Sequence, residues 1–207
     1  MRMTIAVLLS LYLQSATTSP SLPPAYPRPG ATKILDNPDV QVWNIAWLKG
    51  QPSPLHKHIY DLTGVYYEPG DRLIISPEGA KRPVSTKAWD ISFQRKDVTH
   101  IEEGTSDAPL RAIFVEMKRQ EPYGTADAAK DAPAFTGTGA TQKLDNDRVT
   151  VWEYVGPIAA ARHTHLHDTV VVSIESPAPR ATWIRKGTAH ADEGAARASR
   201  VYLFEIK

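Results

Sequence analysis

The chain of 207 residues contains no cysteine. That absence removes disulfides, thiolate metal ligands and a cysteine nucleophile together. Any metal bound here must use nitrogen and oxygen donors. A charge of one sign is missing too: 24 Lys and Arg stand against 23 Asp and Glu, for a formal net charge of +1. No basic run or stripe interrupts this balance, which excludes the electrostatic footprint of a nucleic-acid binder. No convincing helical period extends beyond about two turns. The 42% hydrophobic content is too high for a disordered chain, and 17 prolines are too many for a helical bundle. What remains is a globular, all-β chain with many turns.

Long hydrophobic runs are also lacking. The apolar stretch Ile5 to Leu13, preceded by Arg2 and followed by small polar residues and prolines, is too short to span a bilayer. It has the pattern of a secretory signal, with cleavage near Ala16 to Ser19. Residues 1–19 are therefore expected to be a signal peptide, and the mature chain to be extracytoplasmic without a transmembrane anchor. A buried N-terminal strand is the alternative.

The chain repeats itself. "KILDNPDVQVW" (33–43) returns as "QKLDNDRVTVW" (142–152), so that Leu35, Asp36, Asn37, Val40 and Trp43 match Leu144, Asp145, Asn146, Val149 and Trp152. "LHKHIYDLTGVYY" then aligns with "RHTHLHDTVVVSI", and "FQRKDVTHIEEG" with "WIRKGTAHADEG", in the same order. Each half closes on an alternating apolar stretch, "LRAIFVEMK" or "SRVYLFEIK". Such duplication indicates two similar structural units. The division read from it is a Pro-rich lead-in over 20–32, a first unit over 33–118, a linker over 119–141 and a second unit over 142–207. Short β-branched and aromatic runs punctuated by "EPGD", "SPEG" and "SPAP" make both units β-rich. The first unit is the longer, because residues 59–99 carry an additional hairpin-like piece for which 166–189 have no room.

All seven histidines fall within repeated segments. His56 pairs with His163, His58 with His165 and His100 with His190; His167 stands opposite Tyr60. Residues two apart on a strand share a face, so each His-x-His pair projects together, and the distant histidine is the candidate third ligand. Neutral imidazoles suit Fe, Mn, Zn, Ni or Cu to differing degrees, and three protein ligands leave positions open for water, oxygen or substrate. A pH switch built from paired imidazoles is the competing reading. Trp43 and Trp152 are expected in the core, and Glu103 and Glu193, three residues beyond the third histidines, in turns.

The spacing Gly50-x5-His56-x-His58, with Gly70 twelve residues later, resembles the first motif of the cupin superfamily. "RKGTAHADEG", through Gly187-x2-His190, resembles its second. The resemblance covers both halves and implies a bicupin: two tandem antiparallel jelly-roll barrels packed together, each holding a divalent transition metal through histidines and a glutamate. That glutamate is absent. Its place falls on Thr63 in the first half and near Val170 in the second, neither of which can ligate as a carboxylate.

Asp61 and Asp168, each three residues past the second histidine, are the nearby acids. They are expected first to orient an imidazole N–H and second to serve as a fourth ligand through a bulge. Tyr60 and His167 are candidates to line the cavity. The resemblance implies a small-molecule metalloenzyme of the dioxygenase type, with a non-catalytic binding module of the cell envelope as the alternative. Either a monomer or a homodimer fits, since paired barrels can cover each other's apolar faces while jelly-roll edges can also pair between chains.

Overall fold

In a computed structural model, residues 21–156, 161–175, 177–191 and 198–207 are described; the proposed signal segment and Glu193 lie outside them. The described residues form strands and turns without an α-helix, and no helix is long and apolar enough to cross a membrane. The all-β reading holds, and the two halves have separate sheets.

The first half comprises β1 (Ala31–Asp36), β2 (Val40–Trp47), β3 (His56–Lys57), β4 (Asp61–Glu68), β5 (Gly70–Ile75), β6 (Lys81–Thr86), β7 (Ile91–Gln94), β8 (Thr99–Gly104) and β9 (Leu110–Met117). A five-stranded sheet has the order β1-β2-β9-β4-β7, and a four-stranded sheet the order β3-β8-β5-β6. The second half comprises β10 (Thr141–Asp145), β11 (Val149–Val155), β12 (His163–Thr164), β13 (Asp168–Ile174), β14 (Arg180–Ile184), β15 (Ala189–His190) and β16 (Arg200–Ile206). It repeats the large sheet as β10-β11-β16-β13-β14, while among the described residues its small sheet is β12-β15. The hairpin β5–β6 is the additional piece of the first half.

The matched residues have matched jobs. The β1–β2 turn is held by the Asn37 side-chain oxygen, which accepts from the Asp39 and Val40 amides at 2.8 Å each. Asn146 does the same for Arg148 and Val149 at 2.8 and 3.0 Å. Even the register irregularity recurs, between Lys33 and Leu35 and between Gln142 and Leu144. The matched tryptophans donate their indole N–H to matched glutamates on the closing strands, Trp43 to Glu116 at 2.9 Å and Trp152 to Glu205 at 2.7 Å.

The two large sheets meet face to face. Val40, Val42, Val65, Ile113, Val115 and Met117 of the first half share one buried cluster with Val149, Val151, Val170, Val172, Phe204 and Ile206 of the second. Alternation sends the intervening residues to the opposite face: Trp43, Ile45, Trp47, Leu62, Tyr66, Ala112 and Phe114 form a separate interior core of the first half. The second half's interior is smaller, with Val171, Val201 and Leu203 backed by Trp152, Tyr154 and Phe135.

Strand parity corrects the expectation for the two aspartates. Asp61 shares a parity with Val65, and Asp168 with Val170 and Val172, so both belong to the face between the halves, away from the histidines. Asp61 ion-pairs with Arg148 of the second half at 3.0 Å, both side chains being over nine-tenths buried. Its other oxygen accepts from the Lys96 amide at 2.9 Å. Asp168 accepts from the Lys186 amide at 3.0 Å. The repeated aspartate therefore caps the turn that leads to the third histidine and contacts no imidazole. Thr63 lies on the same outward face and donates its hydroxyl to the Ser92 carbonyl at 2.9 Å.

The segments read as lead-in and linker are packed against the small sheets in equivalent ways. Pro24 bridges Lys57 and Ala134 bridges Thr164, each in parallel orientation. Tyr26 stacks on Trp43 with centroids 5.1 Å apart, and Phe135 meets Trp152 edge-on at 5.8 Å.

Removing one member of a buried ion pair strands its partner. Asp61→Ala is therefore expected to lower unfolding stability by about 3 kcal/mol. Asp168→Ala, which loses a single amide cap, should cost about 1 kcal/mol. Urea titration of both variants checks the order; equal losses would mean that the cross-half pair adds no stability of its own.

Candidate functional site

The histidine strands are short and directly paired. β3 runs antiparallel to β8 with His56 opposite His100, and β12 to β15 with His163 opposite His190. The third histidine is thus the cross-strand neighbour of the first, and the second histidine shares their face. In the first half, His58 Nε2 lies 3.3 Å from His56 Nε2 and 3.2 Å from His100 Nε2. In the second, His163 and His165 bring their Nε2 atoms to 3.3 Å. The donor nitrogens of each triad all fall within 4.8 Å of one another. A tetrahedral ion bound at about 2.0–2.1 Å holds its ligand nitrogens about 3.3–3.4 Å apart.

Hydrogen bonding on the far side of each ring decides whether these nitrogens suit a cation. His163 Nδ1 faces the Ala161 carbonyl at 2.9 Å, His190 Nδ1 the Thr188 carbonyl at 3.2 Å, and His165 Nδ1 the Glu205 carboxylate at 3.1 Å. Each acceptor requires the proton on Nδ1, which turns the Nε2 lone pair of a neutral ring inward. His56 is fixed in the same way by the Pro54 carbonyl at 2.9 Å. Converging lone pairs repel one another, and a cation between them relieves that repulsion. The residues therefore fit a metal with imidazole preference.

Burial favours the neutral form of four of the six rings. Desolvation lowers the pKa of His56, His100 and His165 below the ordinary imidazole value. It pushes His58 down to about 3, with His100 and His56 adding to the effect and Glu102 opposing it.

Two carboxylates that the sequence reading passed over stand beside the triads. Glu205 holds the ring of His165. Burial raises its pKa, but hydrogen bonds from His165 and Trp152 outweigh burial and leave it below the usual range. Its repeat counterpart Glu116 does not hold His58. It accepts from Gln41 at 2.6 Å and from Trp43, burial raises its pKa, and His58 Nδ1 is buried without a hydrogen-bond partner. Gln41 stands where the second half has Thr150, and its amide reaches the carboxylate.

Glu102 is two residues beyond His100 and so shares its face. It accepts from Arg28 at 2.9 Å and from Trp47 at 3.1 Å. Burial would raise its pKa, yet Arg28 and Arg72 together with His100 hold it far below the usual carboxylate range. The available signal for Glu102 was its spacing from His100; for Glu205 it was the repeated Trp and Glu at matched places.

Other expectations change. A continuous strand would carry His167 on the face of His165 and into the cavity wall. β12 ends at Thr164 and the chain bends at 166 and 167, so His167 is half-buried outside the triad. Tyr60 sits at the corresponding bend and is absent from the wall of the cavity beside the first triad. Trp43 is buried as expected, while Trp152 is partly buried. Glu103 lies within β8, opposite Leu73, rather than in a turn.

No protein-family model matches the chain, and no curated protein does. Solved cupin structures are similar to it. A cupin domain from Bordetella pertussis shares 26% identity over 46% of this chain and 100% of that one, with a TM-score of 0.40. A conserved-barrel cupin 2 protein from Leptotrichia buccalis shares 12% identity over 86% of this chain and 88% of that one, at 0.44. An RmlC-like cupin with a double-stranded β-helix fold from Methanocaldococcus jannaschii shares 13% over 54% and 93%, at 0.36.

The orienting carboxylate sets an expected difference between the sites. In a His58→Ala background, Glu205→Gln should weaken transition-metal binding at the second triad by about 10- to 100-fold. In a His165→Ala background, Glu116→Gln should leave the first triad's affinity unchanged. Competition titration with a chelating dye reads both, and equal losses would contradict the asymmetry.

Proposed function

We propose that the protein is a metal-dependent, small-molecule enzyme of the dioxygenase type, with a three-histidine centre in each half. The observation that carries the proposal is the inward turn of imidazole nitrogens at ligand spacing, fixed in the second triad by an acceptor behind every ring. His56, His58 and His100 would hold one divalent ion (Fe, Mn, Zn, Ni or Cu), and His163, His165 and His190 another. An ion held by three neutral ligands keeps its positive charge, so it can take an anionic oxygen donor of a substrate and polarise it. Glu205 positions the ring of His165, while Lys96 and Lys186 amides, tied to Asp61 and Asp168, position the turns that deliver the third ligands. An extracytoplasmic location belongs to the same proposal and is supported by the leader-like run alone.

A second reading, a binding module without turnover, is favoured by one feature. Among the described residues, the two carboxylates beside the triads are both engaged, Glu102 by Arg28 and Glu205 by His165 and Trp152, and neither is placed to act as a general base.

Elemental analysis of protein prepared without an affinity tag should find one or two transition-metal ions per chain. His58→Ala and His165→Ala should each remove about one equivalent. A clean zero after supplying all five metals would refute the proposal. With metal present, oxygen uptake on a panel of diketones, thiols and phenols identifies turnover; metal without oxygen or substrate consumption would favour the binding module.

A further inference from the structure

Beside the first triad lies a cavity of about 90 Å³, walled by His58, His100, Tyr66, Arg72 and Gln94 among others. This is room for a few waters or a small organic acid. Arg72 comes from β5, in the hairpin that only the first half possesses. In the second half β13 ends at Ile174 and β14 begins at Arg180, so this hairpin and its arginine have no counterpart among the described residues.

Three nitrogen donors in this cavity, two on Arg72 and one on Gln94, have no hydrogen-bond partner. Arg72 is only 8% exposed. Its Nη2 donates to the Tyr66 hydroxyl at 2.7 Å, but its Nε and Nη1 are buried without a hydrogen-bond partner. Glu102 is its nearest counter-charge, and Oε1 stands 3.8 Å from Nε, too far for a hydrogen bond. That carboxylate is also shared with Arg28 at 2.9 Å, so two guanidiniums divide one negative charge. Gln94 Nε2 is a third buried donor without a partner. Leaving such groups unmatched is costly, and most costly for a charged one. All three lack an acceptor, which is what a carboxylate provides.

An approach for an anion is also present. A wider pocket of about 410 Å³ shares Ile74, Gln94 and His100 with the inner cavity and carries Lys81 and Arg82. Cationic residues at such a mouth raise the local concentration of anions.

We infer that the first half binds a small carboxylic acid whose carboxylate is held by Arg72 and Gln94, with an adjacent oxygen directed to His58 and His100. A 2-oxo or 2-hydroxy acid has that arrangement of oxygens. Among the described residues the second half has no such subsite, so one acid is expected per chain. The adjacent-oxygen contact rests on the proposed metal centre; the carboxylate contact does not.

Calorimetric titration of the full chain with pyruvate, with methyl pyruvate and with inorganic phosphate, each before and after loading with Mn²⁺, separates the two. Pyruvate is expected to bind at one equivalent, at least tenfold more tightly than its uncharged ester and more tightly than phosphate. Arg72→Gln should weaken pyruvate at least tenfold while keeping the metal content. Gln94→Leu, which leaves every charge in place, should weaken it severalfold, so the inference stays testable if the Arg72 variant fails to fold. Equal affinity for the acid and its ester, preference for phosphate, or indifference to both substitutions would overturn it. Arg72-dependent pyruvate binding in a chain that takes up no metal would refute the metal centre and leave the carboxylate subsite standing.

Discussion

The packing of one large sheet against the other governs the rest of the molecule. Each central strand must be apolar on both faces: one face joins the cluster shared by the halves, built from valines of β2, β4, β9, β11 and β13, and the other fills its own half. With neighbouring residues committed to opposite faces, there is little freedom in where a polar group can go. A carboxylate on the shared face must find a partner there, as Asp61 does with Arg148; one on the inner face must find a partner within its half, as Glu116 does with Trp43 and Glu205 with Trp152 and His165. Burial on both faces makes these placements matter, since an unpaired buried charge costs several kcal/mol or more.

The same constraint separates the two halves in what they can bind. Both retain the turn asparagine, the Trp–Glu pair, the capping aspartate and the histidine triad. They differ in what surrounds the triad. The first half has an additional hairpin, an interior rich in aromatic residues, and the charged group of Arg28, Arg72 and Glu102. The second has a two-stranded small sheet, with Phe135 of the connecting segment lying against His163 and His165 at 5.5 and 4.7 Å between centroids. The duplication keeps the ligand geometry while the walls diverge, as expected if the strands that pair histidines are under tighter geometric control than the segments covering them.

The β class, the repeat and the three-plus-three arrangement of histidines were all legible in the sequence, because each is a matter of local pattern: alternation, turn residues and recurrence in order. The role of the aspartates was partly legible. Regular alternation already turned Asp61 and Asp168 away from the histidine face, and the structure keeps that parity instead of bulging. His167 was misplaced because the short strand β12 stops at Thr164, and nothing local marks that stop. The carboxylate behind His165 was hidden for a different reason: Glu205 is distant in sequence and reaches the ring only through the pairing of β16 with β11 and β13.

By itself, then, the sequence determined that this is a duplicated all-β chain with matched sets of histidines and with neither a thiolate nor the motif glutamate. Only the tertiary structure decided which side of each strand faces the site. Two large sheets buried against each other assign one parity to the interface and the other to the interior, and that assignment sends Asp61 to Arg148 and Glu205 to His165. It also brings Arg28, Arg72 and Glu102 together from three separate segments. Long-range pairing of this kind depends on which strands meet, a property of the folded chain that no local pattern of residues records.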